Sequence, residues 1–402
     1  MRVAAFALRQ MARQPARSVL GIAALAIIGA LLFDMLLLSR GLVLSFGDLL
    51  RATGFTVRVT ATEALPSAGP PLRGAEAALR EVEALGEVEQ ALALRFGQAR
   101  ARVGERQQEL SLVGSSAAGG GSWTVIAGSD LPATAEAAGA PPPVVINEAL
   151  ARDLGAGPGD RVRLRGACSS QGVLLPPIET RVVGVAQFRF DAAGDRSAAT
   201  TLGGFTALCP DQRPDEADLL LARPAPGITA EAAAAAIRRA LPGLHAFSNA
   251  QFLARFERTD FSYFRQISFV LSSITAFFAG LLVTTLLTVS VNQRYGEIAA
   301  LRAIGLTRRR VAGELAWESA LFVLAGGALS LPLGWGLALV LDSILRGVPG
   351  LPVALHFFVF EPRSLVAHAA LLGGAAALAA LWPVWLVARL PIAATLREET
   401  VG

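Results

Sequence analysis

Stretches without a single charged residue constrain this chain more than any other feature of it. Gln266 to Gln293, Ser319 to Leu341 and Ser364 to Ala388 contain no Asp, Glu, Arg or Lys. Each exceeds the roughly 20 residues with which a helix crosses about 30 Å of hydrocarbon. Ser18 to Phe33 is a fourth such run, which Asp34 interrupts and Met35 to Ser39 continues. A cleavable signal peptide is the rival reading of this first run. It is longer than an ordinary signal-peptide core, and no small-x-small cleavage site bordered by polar residues follows it, so an uncleaved helix is expected. Charged residues make up only 17% of the chain, against about 25% in soluble domains.

Arginine placement orients these spans, because short cytoplasmic segments carry the basic excess. Arg2, Arg9, Arg13 and Arg17 precede the first span, Arg294, Arg302, Arg308, Arg309 and Arg310 follow the second, and Arg389 and Arg397 follow the fourth. Both termini and the middle loop are therefore expected in the cytoplasm, and Arg40 to Arg265 outside it. The expected order is an interfacial helix over 1–17, spans over 18–39, 266–291, 318–342 and 364–388, a cytoplasmic loop over 292–317, a short external loop over 343–363 and a tail over 389–402.

The external segment, 40–265, has nearly balanced charge, so a nucleic-acid-binding face is not expected. It opens as strand (Phe55 to Thr62), helix (Gly74 to Leu85) and strands (Ala91 to Ala101, Glu109 to Val113). It closes as strand (Ala217 to Leu221), helix (Thr229 to Leu241) and strand (Leu244 to Phe247). Between them lie the strand Val144 to Ile146, a helix from Asn147 to Leu154, and strands Arg161 to Arg165 and Thr180 to Phe190. This predicts one α+β part built from both flanks, about 50–114 and 216–250, with a β-rich subdomain inserted at about 115–215. The fold class is an α-helical membrane protein with four transmembrane helices and a large α+β extracytoplasmic domain between the first and second.

Residue types exclude several chemistries. All 36 basic residues are arginine, so a P-loop, which needs its lysine on the phosphates, is ruled out, as is lysine Schiff-base catalysis. His245, His356, His368, Cys168 and Cys209 have no zinc-type spacing. No catalytic residues and no metal site are assigned. Asp34 is the one acid within a span, and such groups are functional candidates by default. The blander reading, preferred here, places it at the headgroup boundary, simply solvated; His368, near the start of the fourth span, is likewise expected to be interfacial.

After the second span, positions 292–311 read Asn-Gln-Arg-Tyr-Gly-Glu-Ile-Ala-Ala-Leu-Arg-Ala-Ile-Gly-Leu-Thr-Arg-Arg-Arg-Val. Ile298, Leu301 and Ile304 share one helical face, Gly305 suits a helix end, and Thr307 can cap the next helix. This stretch resembles the cytoplasmic loop of the FtsX-like permeases, the MacB/LolC/LolE class of ABC transporter subunits, with Arg294, Glu297, Ile298, Leu301, Arg302, Ala303, Ile304, Gly305, Thr307 and Val311 matching and Glu318 following. Val144 to Ala151, Leu154-Gly155, Gly159 to Val162 and Val182 to Val185 resemble the external domain of the same family. The resemblance implies that Arg294, Glu297, Ile298, Leu301, Arg302, Ala303 and Gly305 form a coupling helix for a separate ABC ATPase. An interfacial helix lying on lipid headgroups is the blander reading of that loop.

The resemblance further implies a non-catalytic permease subunit acting by mechanotransmission. ATP and Mg would sit on the partner ATPase, with no cofactor in this chain. A second permease copy or a homologous permease would complete the assembly, and a periplasmic adaptor or a lipoprotein is a candidate partner or substrate. Lipoprotein release or export of a periplasmic substrate from a bacterial inner membrane would be the task. The alternatives are a membrane-anchored extracytoplasmic sensor or an FtsX-like regulator of a cell-wall hydrolase. The external placement of Cys168 and Cys209 predicts a disulfide between them if that compartment is oxidising; two buried reduced cysteines are the alternative.

Overall fold

The computed structural model describes residues 9, 11–63, 69–117, 122–132, 139–167, 175–210, 213, 215–259, 262–293, 307–348 and 352–389. The chain divides into two compact units. One comprises Met1–Leu42, Asp260–Ser343 and His356–Gly402; the other comprises Val43–Thr259 and Ile344–Leu355.

The first unit is helical. Four helices are long and apolar enough to cross a membrane. They belong to α1 (Pro15–Ala52), α7 (Ser262–Asn292), α8 (Arg308–Leu345) and α9 (Pro362–Arg389). α1 outruns the span expected over 18–39. Nothing in Gly41 to Ala52 breaks a helix, and the chain turns only at Gly54, whose φ of 76° suits a residue without a Cβ. Close approaches shape the bundle. A Cβ on Gly29 would stand 2.8 Å from Ser330 Cβ, and one on Gly334 would stand 3.0 Å from the Ala30 carbonyl oxygen. Gly41 lies directly against the backbone of Phe357 and Val359. Small residues let helices approach in just this way where lipid supplies no hydrophobic drive between them.

The second unit is α+β. Its main sheet is built from β1 (Val57–Thr60), β3 (Val88–Val103), β4 (Arg106–Ser115), β5 (Trp123–Gly128), β6 (Pro143–Asn147), β7 (Arg161–Gly166), β8 (Ile178–Phe188), β9 (Ser197–Thr201), β11 (Leu219–Pro224) and β12 (His245–Ser248). Strand order is β12-β1-β11-β3-β4-β9-β6-β8-β5, with β7 pairing β3 and β8. A small sheet pairs β2 (Leu72–Arg73) with β10 (Glu216–Ala217). Helices α2 (Ala75–Glu83) and α5 (Ala230–Ala240) cover one end of the main sheet through a core containing Val57, Val59, Val82, Leu220 and Ile237. Helices α3 (Glu148–Leu154) and α4 (Leu202–Leu208) cover the other through Ile146, Leu150, Leu164 and Phe205.

Alternation sets the faces. Val144 and Ile146 enter the core beneath α3 and α4 while Val145 enters the opposite one, with Trp123 and Phe188, as a period of two requires. Asn147 caps α3 by accepting from the Leu150 amide at 2.9 Å, and Gly155 ends it at φ 67°. Thr229 caps α5 in the same manner, accepting from the Ala232 amide at 3.2 Å.

Four elements were not expected: β2, β5, β9 and α4. The β3–β4 hairpin carries both cores, since Val88, Ala91 and Ala93 pack under α2 and α5, while Ala99, Ala101, Leu110 and Leu112 pack with α3 and α4. The two parts therefore share one continuous sheet. α6 (Asn249–Thr259) follows β12, with residues 260–261 outside the described residues.

Residues 344–355, from the last residues of α8 onward, belong to this second unit. Pro352 bridges Ala192, and the Val353 amide donates to the Asp191 carbonyl at 2.9 Å. The Asp191 carboxylate accepts from Ser197 Oγ and from Asn147 Nδ2, each at 2.7 Å, and these bonds hold the turn in place. Burial nevertheless raises its pKa.

Candidate functional site

The coupling residues Arg294, Glu297, Ile298, Leu301, Arg302, Ala303 and Gly305 lie outside the described residues, and so does Cys168. The helices that flank the loop are described, and they carry a cluster around Arg17. Arg17 Nη2 donates to the Leu286 carbonyl at 2.6 Å and lies 3.6 Å from Glu318 Oε1. Its Nη1 donates to Gln14 Oε1 at 3.0 Å. Glu318 Oε1 also accepts from Ser290 Oγ at 2.9 Å. Glu318 and Ser290 are 5% and 2% exposed. Gly21, one turn beyond Arg17, makes this meeting of α1, α7 and α8 possible, because a Cβ there would stand 2.9 Å from Leu286 Cδ1 and 3.1 Å from Phe322 Cε1. Sequence reasoning took Arg17 for an orienting charge and passed over Ser290; Glu318 was noted only as a motif position.

Two expectations for the bundle fail. Asp34 is not solvated: it is 1% exposed, and among the described residues its Oδ1 has no hydrogen-bond partner. Leu32, Phe33 and Leu37 beside it are equally buried, so this stretch of α1 is enclosed by protein on most sides. His368 is not interfacial either. It is 3% exposed, with Nε2 2.9 Å from Ser330 Oγ and its ring edge-on to Phe33 at 5.4 Å between centroids. Position along the chain predicts depth in a membrane but not what surrounds a side chain at that depth.

Within the α+β unit, the end of α1 is fastened to the start of α6. Asn249 Nδ2 donates to the carbonyls of Leu50 at 3.2 Å and Phe55 at 3.1 Å. The Asn249 amide donates to the Thr56 carbonyl at 2.7 Å. Asn249 Oδ1 accepts from Arg58 Nε at 3.0 Å. The Leu50 carbonyl is one of those a helix end leaves without an intrahelical amide donor, and Thr53 Oγ1, at 2.8 Å, and Asn249 share it. The Arg58 guanidinium stands over the Phe252 ring, 5.4 Å from its centroid. Burial lowers its pKa to about 10, so it remains charged at neutral pH.

Cys209 is buried in the core around Phe205 and is disulfide-bonded. Among the described residues, no group of three or more His, Cys, Asp or Glu could hold a metal ion.

A family model for the MacB-like periplasmic core domain matches residues 18–240, and one for the FtsX-like permease C-terminal region matches residues 269–392. This chain belongs to the MacB-type family of ABC transporter permeases. It is a multi-pass membrane protein with a large α+β domain between its first and second membrane helices. Membership implies an ABC ATPase partner and a permease dimer in general. Among solved structures, the extracellular domain of the ABC-type transporter YknZ from Gram-positive bacteria is similar at 13% identity and a TM-score of 0.34, over 48% of this chain and 98% of that one. The periplasmic region of MacB from Actinobacillus actinomycetemcomitans is similar at 9% identity and a TM-score of 0.40, over 52% of this chain and 96% of that one. No curated protein matches the chain.

Proposed function

We propose that this chain is the permease subunit of a type VII ABC transporter that works by mechanotransmission. ATP-driven closure of a separate ATPase dimer displaces the coupling loop, and the external domain moves in response. The observation that supports this most directly is the unbroken α1. One helix carries Arg17 at its start, among the flanks of the loop, and Leu50 near its end, in the hydrogen-bonded joint of the α+β unit.

The arginine distribution supports cytoplasmic termini, and the family supports a bacterial inner membrane. Release of lipoproteins, or export of a periplasmic substrate with an adaptor, is the task. ATP and Mg bind the partner, and this chain, which has no lysine, neither binds nor hydrolyses ATP. Four spans per chain call for a second permease, a copy or a homologue.

Co-purification tests the reading: a tagged full chain should capture an ABC ATPase. Glu297→Lys reverses a charge facing that ATPase, and Gly305→Val places a β-branched residue where a left-handed helix end is expected. Both variants should insert normally and lose permease-dependent stimulation of ATP hydrolysis. Capture of no ATPase by the wild-type chain would refute the proposal.

A further inference from the structure

We propose that Arg17 is the positioning residue through which displacement of the coupling loop reaches the first membrane helix. This inference rests on the transporter reading above and assigns the contact that passes the movement on.

The two ends of the loop are the end of α7 and the start of α8. Arg17 holds both. On α7 it binds the Leu286 carbonyl at 2.6 Å, six residues before Asn292, the last residue of that helix. On α8 it faces Glu318 at 3.6 Å, and Glu318 in turn accepts from Ser290 of α7 at 2.9 Å. The three helices therefore meet in one polar cluster, closed over by Gly21 against Leu286 and Phe322. The planar guanidinium is suited to this task because it presents several donors in a fixed fork, whereas a lysine ammonium is a single point charge. The carboxylate and Ser290 are buried, so water does not take over either side when the helices shift. Removing one partner of such a pair strands a buried charge. A shift of α7 or α8 therefore draws α1 with it, and α1 runs unbroken to Ala52.

The competing account is that the cluster only stabilises the bundle. The two accounts separate in a double variant, Arg17→Met with Glu318→Met, which removes both charges at once and strands neither; apolar replacement of a whole buried pair is often neutral for stability. The chain is reconstituted in phosphatidylglycerol-containing nanodiscs with its ATPase. Spin labels in the external domain report its response to ATP. The double variant should express, insert and bind the ATPase as wild type does, while permease-dependent ATPase stimulation and the ATP-dependent change in label distances fall about tenfold. Arg17→Lys should retain an intermediate response. Wild-type coupling in the double variant overturns the proposal, even if each single variant fails to fold.

If the wild-type chain captures no ATPase, the transporter reading falls and the joint is read on the chain alone. A nanobody against residues 292–307 takes the place of the ATPase, and hydrogen exchange is followed in the first turns of α1. Binding should change exchange there in wild type and leave the double variant unaffected. An equal change in both overturns the inference.

Discussion

The two units differ in degree in how they bury polar groups: Ser290 bonds Glu318 and Ser330 bonds His368 inside the helical unit, and in the α+β unit Arg189 Nε is buried with no partner among the described residues. In the α+β unit, buried polar side chains are drawn into bonds: Asn147 caps α3 and pins the Asp191 turn, Asn249 serves three backbone groups and Arg58, and Thr180 and Thr200 donate to the carbonyls of Val162 and Pro143 at 2.8 Å. In the helical unit, Asp34 Oδ1, Ser364 Oγ and His368 Nδ1 are buried and have no partner among the described residues. A sheet specifies its neighbours by pairing and alternation, so each polar group can be given a fixed partner. A bundle in lipid is specified by surface fit. Its glycines decide how closely helices approach, and polar side chains left inside it are exceptions of the kind associated with function.

The sharpest way to break this contrast is to alter fit in one unit and volume in the other. Gly41→Val sets a branched side chain against the Phe357 and Val359 backbone. It should prevent assembly of the bundle, seen as loss of the full-length chain from the membrane fraction, while the α+β unit keeps its protease resistance. Phe205→Ala, within a fully buried site, should destabilise the α+β unit by about 3–5 kcal/mol in denaturant titration and leave helix insertion unaffected.

Next in size is the cysteine bridge. We propose that the bonded Cys209 pairs with Cys168. The 41-position separation corresponds to roughly 4 kcal/mol in the chain-entropy account, reduced by any native strain. Cys209→Ser, followed by thermal unfolding, should show a loss of that order. Two alkylated free thiols in unreduced, periplasm-matured protein would count against the bridge. The smallest effect is a helix cap: Thr229→Ala should cost about 1 kcal/mol and shift only the unfolding of the α+β unit.

Much of this was legible in the sequence, because the signals were local. Missing charges marked the spans, and a helix end is written in Asn147 and Gly155, three and four positions from the residues they serve. β9 was invisible: Ser-Ala-Ala-Thr-Thr has no apolar run, and it is buried only because β4 and β6 lie on either side of it. That one sheet runs through both parts was not legible, because turn residues mark where a strand ends but not how far its neighbours continue the sheet. The Arg17 cluster was equally hidden. Arg17 lies 269 positions from Leu286, Ser290 lies 28 from Glu318, and each has an ordinary local explanation: a positive-inside arginine, a membrane serine, a glutamate at the start of a span.

The bridge between Ala192 and Pro352 has a consequence in time. During synthesis, residues 43–259 emerge well before residues 344–355, with two membrane helices made in between. At about 5–20 residues per second, the 94 positions from Thr259 to Val353 take roughly 5–20 s. Through that interval the Asp191 carbonyl has no Val353 amide to accept from. The external domain is thus finished by a segment that the ribosome delivers only after the third membrane helix. A nascent chain arrested before that helix would display the turn at Asp191 to Asp195 without its final partner.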